Sequence, residues 1–443
     1  NLPIYRIYFY SMKKSFASLA FAVTCIVAAA ETTPFHAVVA ADGSGDYTSV
    51  SEAILAAPEG RTEPWLILVK KGDYREHVTI PESKPFIHLI GQDKRNTSIR
   101  HKLNVGGKPN GSEKPGRTAY WNHSVHNPES EVGGFGGAVV EVKAPDFYTE
   151  NISYINDWGI ESHSGPQALA MHTTADRAAF NDCNFRSFQD TWYTTSNDTD
   201  RHYVKDCYIE GAVDYFYGGG DVLAENCTFY NVRSGSVIVA PCHNNARYGY
   251  AFIDCTVDGT PEAADGKLKL GRPWHNNPKV AYINTTMLIP VAEEGWSNMG
   301  TIPALFAEYR SHDTNGNLLD LSKRKTSYSF RDRNTGQEMT GSCPATISAE
   351  DAEKYTYENM ILAADGWNPR EIMKKLNAPK GFKYIDGILS WDTVPGAAGY
   401  IIYDGDEIIG ITADTTFSAP VIKTALQVRA VNKYGSQGKL GTL

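Results

Sequence analysis

Five short segments recur along the middle of the chain: FNDCNF at 180–185, VKDCYI at 204–209, AENCTF at 224–229, FIDCTV at 252–257 and YINTTM at 282–287. In each, an apolar residue stands three positions before the cysteine (Thr285 in the last) and another two positions after it, and Asp or Asn directly precedes it. YTENISY at 148–154 is a looser copy. The steps between successive copies are 24, 20, 28 and 30 residues. A short β-type segment returning at a variable step of this size suits a solenoid of parallel strands whose turns absorb the differences in length. Leucine-rich repeats share the step, but their Leu pattern is missing, and helical repeats would need longer segments of 3.6 period. The spacing therefore predicts an all-β parallel β-helix.

On this register Cys183, Cys207, Cys227 and Cys255 form an inward ladder of small apolar residues on successive coils. Neighbours on one face of adjacent parallel strands lie about 4.8 Å apart. That is within Cα range for a disulfide, but side chains stacked in parallel are poorly aimed for one. Mostly free thiols are expected; two disulfides are the alternative, which export would permit. The chain has seven cysteines in 443 residues, and no pair has the Cys-x-x-Cys spacing of a zinc or redox site. A hydrophobic share of 42% excludes global disorder, and a net charge of −9 argues against nucleic acid as the main partner.

Outward from the repeats, SVSEAILAA (49–57) reads as a short helix capping the open end of the solenoid, and WLILVK (65–70) as a buried strand. Residues 101–137, rich in Gly, Pro, Asn and Ser, read as a long loop at the mouth of a cleft. At the start, MKKSFASLAFAVTCIVAAA (12–30) has the basic start, apolar run and small-residue end of a bacterial-type signal peptide. Residues 1–30 are therefore expected to be upstream sequence and leader, and the mature protein secreted or periplasmic. No later run is long enough to span a bilayer. From Lys380 the chain alternates strands with turn signals (ILSWDT, GYIIYDGDEIIG, ALQVRAVNKYGS), the pattern of a small β-sandwich. Trp391, Tyr400 and VRAVN resemble a fibronectin type III module over 378–443; its shortness predicts a missing or degenerate strand.

The cysteine register also locates candidate chemistry. Asp190 and Asp214 each stand seven residues after their coil's cysteine, so the repeat stacks two carboxylates on adjacent coils and one face. Two such groups repel if both ionise. One pKa is expected to rise and the other to stay low, dividing an acid from a base or nucleophile. Solvated turn aspartates are the plainer alternative. Gln189 and Gln167 offer uncharged amide donors nearby, and Arg272, in LGRPW, offers a partner that keeps a carboxylate ionised.

The motifs VVAADGSGDYTSVSEAI (38–54), GGFGGAVVEV (133–142), GPQALAM (165–171), SFQDTWY (187–193), GAVDYFYG (211–218) and LGRPW (270–274) occur in the order seen in pectin methylesterases (pectinesterases, carbohydrate esterase family 8), and the chain resembles that family over roughly 35–372. EEGWSNMG (293–300), AEYRSH (307–312) and DGWNP (365–369) agree. The resemblance implies a right-handed, single-stranded, pectin lyase-like parallel β-helix over 35–374. It also implies hydrolysis of the C6 methyl esters of polygalacturonate, in methylesterified pectin or homogalacturonan, to carboxylate and methanol without metal or organic cofactor. It implies Asp214 as nucleophile, Asp190 as general acid/base, Gln189 and Gln167 as oxyanion donors and Arg272 as partner of the nucleophile. Tyr193, Tyr217 and Trp274 fall at or near aromatic positions that line the sugar cleft. A monomer is expected.

Departures from the family pattern are Ala212 for the usual Thr, Tyr215 and Tyr217 where Phe is commoner, and Gly218-Gly219-Gly220-Asp221 after that block. They leave open a β-helix esterase acting on a different ester; a non-catalytic carbohydrate-binding solenoid is the other alternative. With a net charge of −9, the chain would hold a demethylated, anionic polymer only through a local basic patch. Without one, highly methylated pectin is the expected preference.

Overall fold

The computed structural model describes residues 33–105, 125–126 and 138–443. The expected leader at 12–30 and most of the 101–137 loop lie outside the described residues. Three parallel sheets carry the chain. The first has ten strands, from Ala37–Val39 to Leu305–Tyr309; the second has eight, from Gly72–Arg75 to Thr286–Met287; the third has seven, from Val78–Ile80 to Lys269–Gly271. Each coil visits them in turn, as in Ala178–Asn181, Asn184–Arg186 and Trp192–Tyr193, before the next coil starts at Arg201–Lys205. This is the β-helix that the repeat predicts.

The repeat has a conformational cause at its Asp/Asn position. Asp182, Asp206, Asn226, Asp254 and Asn284 turn the corner from first to second sheet, with φ of 53°, 54°, 52°, 53° and 53°. Asn and Asp tolerate this left-handed region better than other residues with a Cβ. The residue that follows, a cysteine in the first four and Thr285 in the last, is buried. Cys183, Cys227 and Cys255 each aim Sγ at the carbonyl two residues back, at 3.4 Å, and all six described cysteines are free thiols. Beside the ladder an aromatic stack fills the core: the Phe185 and Trp192 rings lie 4.1 Å apart, and those of Trp192 and Phe216 5.3 Å apart.

The helix Val50–Ala56 closes one end and buries Val50, Ala53 and Ile54. Ser49 caps it, and the Glu76 carboxylate accepts from the Val50 and Ser51 amides at 2.8 and 3.0 Å. A carboxylate there satisfies helix N–H groups that would otherwise lack partners.

The C-terminal region holds two antiparallel sheets. Three strands (Lys383–Ile385, Ile388–Ser390, Thr416–Ser418) face four (Gly399–Asp404, Glu407–Thr412, Leu426–Val431, Gln437–Thr442) across Leu389, Trp391, Ile402 and Val428. Seven strands fit into this short stretch, so the expected gap is absent; tight turns such as Asp386-Gly387, both at positive φ, save the length.

The four-stranded sheet seats on the outer face of the first parallel sheet. Leu66, Leu68, Ile90, Tyr148, Tyr203 and Leu223 pack there against Tyr357, Met360, Trp367, Ile401, Tyr403 and Val431. Polar ties reinforce the seam. The buried Glu150 carboxylate accepts from the Ser436 hydroxyl (2.6 Å) and the Gln437 amide (2.7 Å), and Gln437 Nε2 donates to the Gly91 carbonyl (2.7 Å).

Candidate active site

The third sheet alternates inward and outward side chains. Trp192 and Phe216 point into the core, so their neighbours Tyr193 and Tyr217 point out. Just before these strands the chain makes two irregular turns. Asp190 has φ 61° and donates its amide to the Val213 carbonyl at 2.9 Å. Asp214 has φ 49° and lies where the strand Val213–Gly218 carries one extra residue against Val237–Pro241. Such a bulge re-aims a side chain without breaking the sheet. The two carboxylates thus sit on adjacent coils of one face, as the seven-residue offset from the cysteines predicts.

Arg272, directly after the strand Lys269–Gly271, grips Asp214 with two hydrogen bonds, Nε to Oδ1 at 2.8 Å and Nη2 to Oδ2 at 2.6 Å. Asp214 is buried, and Asp190 is half-buried. Burial pushes the Asp190 carboxyl well above the usual carboxylate range, and the Asp214 charge pushes it further; Arg272 and the Tyr217 hydroxyl act the other way. Burial also raises Asp214, against the hydrogen bonds and charge of Arg272 and the charge of Arg233. The expectation of one low and one high carboxyl is corrected here, because burial lifts both. The neighbouring charge adds to burial at Asp190, whereas Arg272 opposes burial at Asp214 with hydrogen bonds as well as charge, so of the two it is Asp190 whose protonated form the site favours.

Gln167 is buried at the turn before Leu169–Thr173, and the Ala168 amide donates to the Gln189 carbonyl at 3.1 Å, which stacks the two glutamine positions on neighbouring coils. Gly165 lies against the Gln189 side chain: a Cβ added there would come within 3.2 Å of Oε1. Tyr193 and Tyr217 lie 4.8 Å apart, and Trp274 meets Tyr217 edge to face at 5.7 Å. Tyr217 is buried beneath the two half-buried rings, so Tyr193 and Trp274 form the open wall and Tyr217 contributes its hydroxyl beside Asp190. Arg233 escaped the sequence reading. It stands six residues after Cys227, one short of the offset that found the aspartates, so the same register, extended one coil, points to it.

Two carboxyls, an arginine paired with one of them, two glutamines and an aromatic wall thus stand together on one face of a parallel β-helix. The chain belongs to the Pectinesterase family, whose model matches residues 36–112 and 116–351, and so to the carboxylic ester hydrolases that demethylesterify pectin. Pectinesterase 31 of Arabidopsis thaliana is 34% identical over 285 residues, covering 61% of this chain and 81% of that protein. A pectinesterase of Petunia integrifolia is 27% identical over 368 residues, covering 78% and 83%. Among solved structures, the pectin methylesterase from carrot superposes with a TM-score of 0.58 at 25% identity, covering 74% of this chain and 93% of that one. PemA from Erwinia chrysanthemi, at 22% identity and a TM-score of 0.58, shares the fold.

Proposed function

We propose that Asp214 is the nucleophile of this pectin demethylesterification and Asp190 its general acid/base. The observation that carries the assignment is the unequal setting of the two carboxyls: Arg272 makes two hydrogen bonds to Asp214 and favours its ionised form, whereas burial and the Asp214 charge favour the protonated form of Asp190. Asp214 attacks the C6 carbonyl carbon of a methylated galacturonate. The carbonyl π pair moves to oxygen, where the Gln167 and Gln189 amides receive the negative charge. On collapse the bond to methoxide breaks, and Asp190 delivers its proton to that oxygen, releasing methanol and leaving an acyl-Asp214 anhydride. Asp190, now ionised, takes a proton from water as that water attacks the anhydride, and Asp214 returns as carboxylate. Losing one amide donor lowers kcat on the order of 10²–10³-fold.

Tyr193 and Trp274 supply apolar ring faces for sugar rings of methylesterified homogalacturonan. The N-terminal leader exports the chain to the periplasm or beyond, and the C-terminal seven strands form a fibronectin type III-like module over 378–443.

Methanol release from defined methylated oligogalacturonides tests the roles. Asp214→Ala is expected to abolish turnover with the fold intact, and Asp190→Asn to impair it severely. Esterase activity surviving in folded Asp214→Ala removes the nucleophile, and a near-normal Asp190→Asn rate removes the acid.

A further inference from the structure

A second groove, of about 710 Å³, opens along the seam between the β-helix and the C-terminal strands. Its helix side is built from the corners that join first and second sheets, so the body of the β-helix separates it from the third sheet and the carboxylate pair. Six cations line it: Lys71, Lys94, Arg95, Lys375, Arg429 and Lys439. Three carboxylates lie among them, Asp93, Asp182 and Asp406. Lys71 pairs with Glu407, Lys94 with Asp182 at 2.6 Å and Arg95 with Asp93 at 3.4 Å. Among the described residues, Lys375, Arg429 and Lys439 stand within ion-pair distance of no carboxylate, although the Lys375 charge also favours the ionised form of the buried Glu150, on a chain whose net charge is −9.

The floor of the groove is held in place. Gln437, fixed to the Gly91 carbonyl, accepts from the Tyr403 hydroxyl at 3.2 Å, and Arg429 Nη1 donates to the Gly438 carbonyl at 3.0 Å. Lys375 and Lys439 are exposed at the rim and Arg429 is half-buried on the floor. The cations come from separate segments of the chain and are spread along the seam. A spread row suits an anion with repeating charges better than a single phosphate. The excess is small, and the rest of the protein is negative. A polyanion as dense as DNA, with one charge per about 1.7 Å, is therefore disfavoured against one with a charge per sugar ring.

We propose that this seam groove binds the enzyme's own product, a stretch of demethylated, carboxylate-bearing galacturonan, and so anchors the enzyme to polymer it has already processed. The assignment rests on the activity above, since ester hydrolysis is what places a carboxylate on each sugar. An anchored chain raises the local concentration of its remaining esters at the catalytic face without any new catalytic contact. It also supplies the local basic patch that the overall charge requires.

Calorimetric titration of the full-length protein with an unesterified galacturonate hexamer tests this. The catalytic cleft is a separate surface, so two molecules bound per wild-type chain are expected, one of them salt-sensitive. Lys375→Glu/Arg429→Glu/Lys439→Glu is expected to lose that one, weakening it at least about tenfold, while Trp274→Ala retains it. Because Arg429 also braces the floor, Lys375→Gln/Lys439→Gln serves as the milder variant, with a loss of roughly threefold expected.

Turnover of a short methylated oligomer should be unchanged in both charge variants, and KM for long, block-demethylated pectin should rise. Equal titrations for wild type and both variants overturn the proposal. So does binding of the fully methylated hexamer, or of inorganic phosphate, as tight as that of the unesterified hexamer at this site. Failure of the wild type to release methanol from the short oligomer would instead strike the catalytic assignment and leave the binding result readable.

Discussion

At the scale of single residues the site is a contest between burial and one guanidinium. On the proposed mechanism Asp214 must be ionised to attack, so activity falls as pH drops through its raised pKa; Asp190 must be protonated to release methanol, so activity falls as pH rises through its own. Arg272 favours the ionised form of Asp214. Arg272→Met therefore raises that pKa, and the acid limb of the kcat/KM profile is expected to move to higher pH along with a lower maximum. The Tyr217 hydroxyl favours the ionised form of Asp190. Tyr217→Phe removes it, and the alkaline limb is expected to move to higher pH with the fold unchanged. The limbs belong to the coupled pair, so each is read as a shift against wild type. A limb that stays still, or moves down, removes the residue's electrostatic role. Spacing made Asp190 and Asp214 legible because both obey one coil register. The family resemblance grouped Tyr217 with Tyr193 and Trp274 as cleft-lining rings, because a motif in one dimension carries no information about which ring of a stacked trio is buried.

At the scale of the element, the corner from first to second sheet explains why the repeat reads as it does. The cysteine was visible as a marker, whereas the Asp or Asn before it had no evident purpose until the backbone angle was known. Asp254 is the cleanest test, since it is exposed and has φ 53°. Asp254→Ala is expected to destabilise by about 1 kcal/mol, and Asp254→Gly to be close to neutral, measured by urea unfolding. Equal costs for Ala and Gly would mean that the side chain, and not the backbone, holds the corner. The seven-stranded C-terminal region shows the opposite limit of sequence reading: length suggested a lost strand, but turns of two residues leave room for all seven.

At the scale of the molecule, the C-terminal strands are part of the solenoid's stability as well as a neighbour to it. Cutting the chain after residue 377 uncovers Leu66, Leu68, Ile90 and Tyr148 and takes Ser436 and Gln437 from the buried Glu150. Each large apolar side chain is worth about 1.5–3 kcal/mol when fully buried. The truncated protein is expected to melt several degrees lower or to aggregate; an unchanged Tm would mean the region is merely tethered. That partnership was not legible in the sequence, because the outward row of the first sheet reads like any other strand residues until something is seen to cover it. The thiol ladder has a consequence for the lifetime of the whole protein. Cys183, Cys207, Cys227, Cys255 and Cys343 are shielded by the fold and by nothing else. In an oxidising medium, a chain that opens exposes thiols with no native partner, which then cross-link at random. Survival there is set by how slowly the coil opens, not by how favourably it would close again.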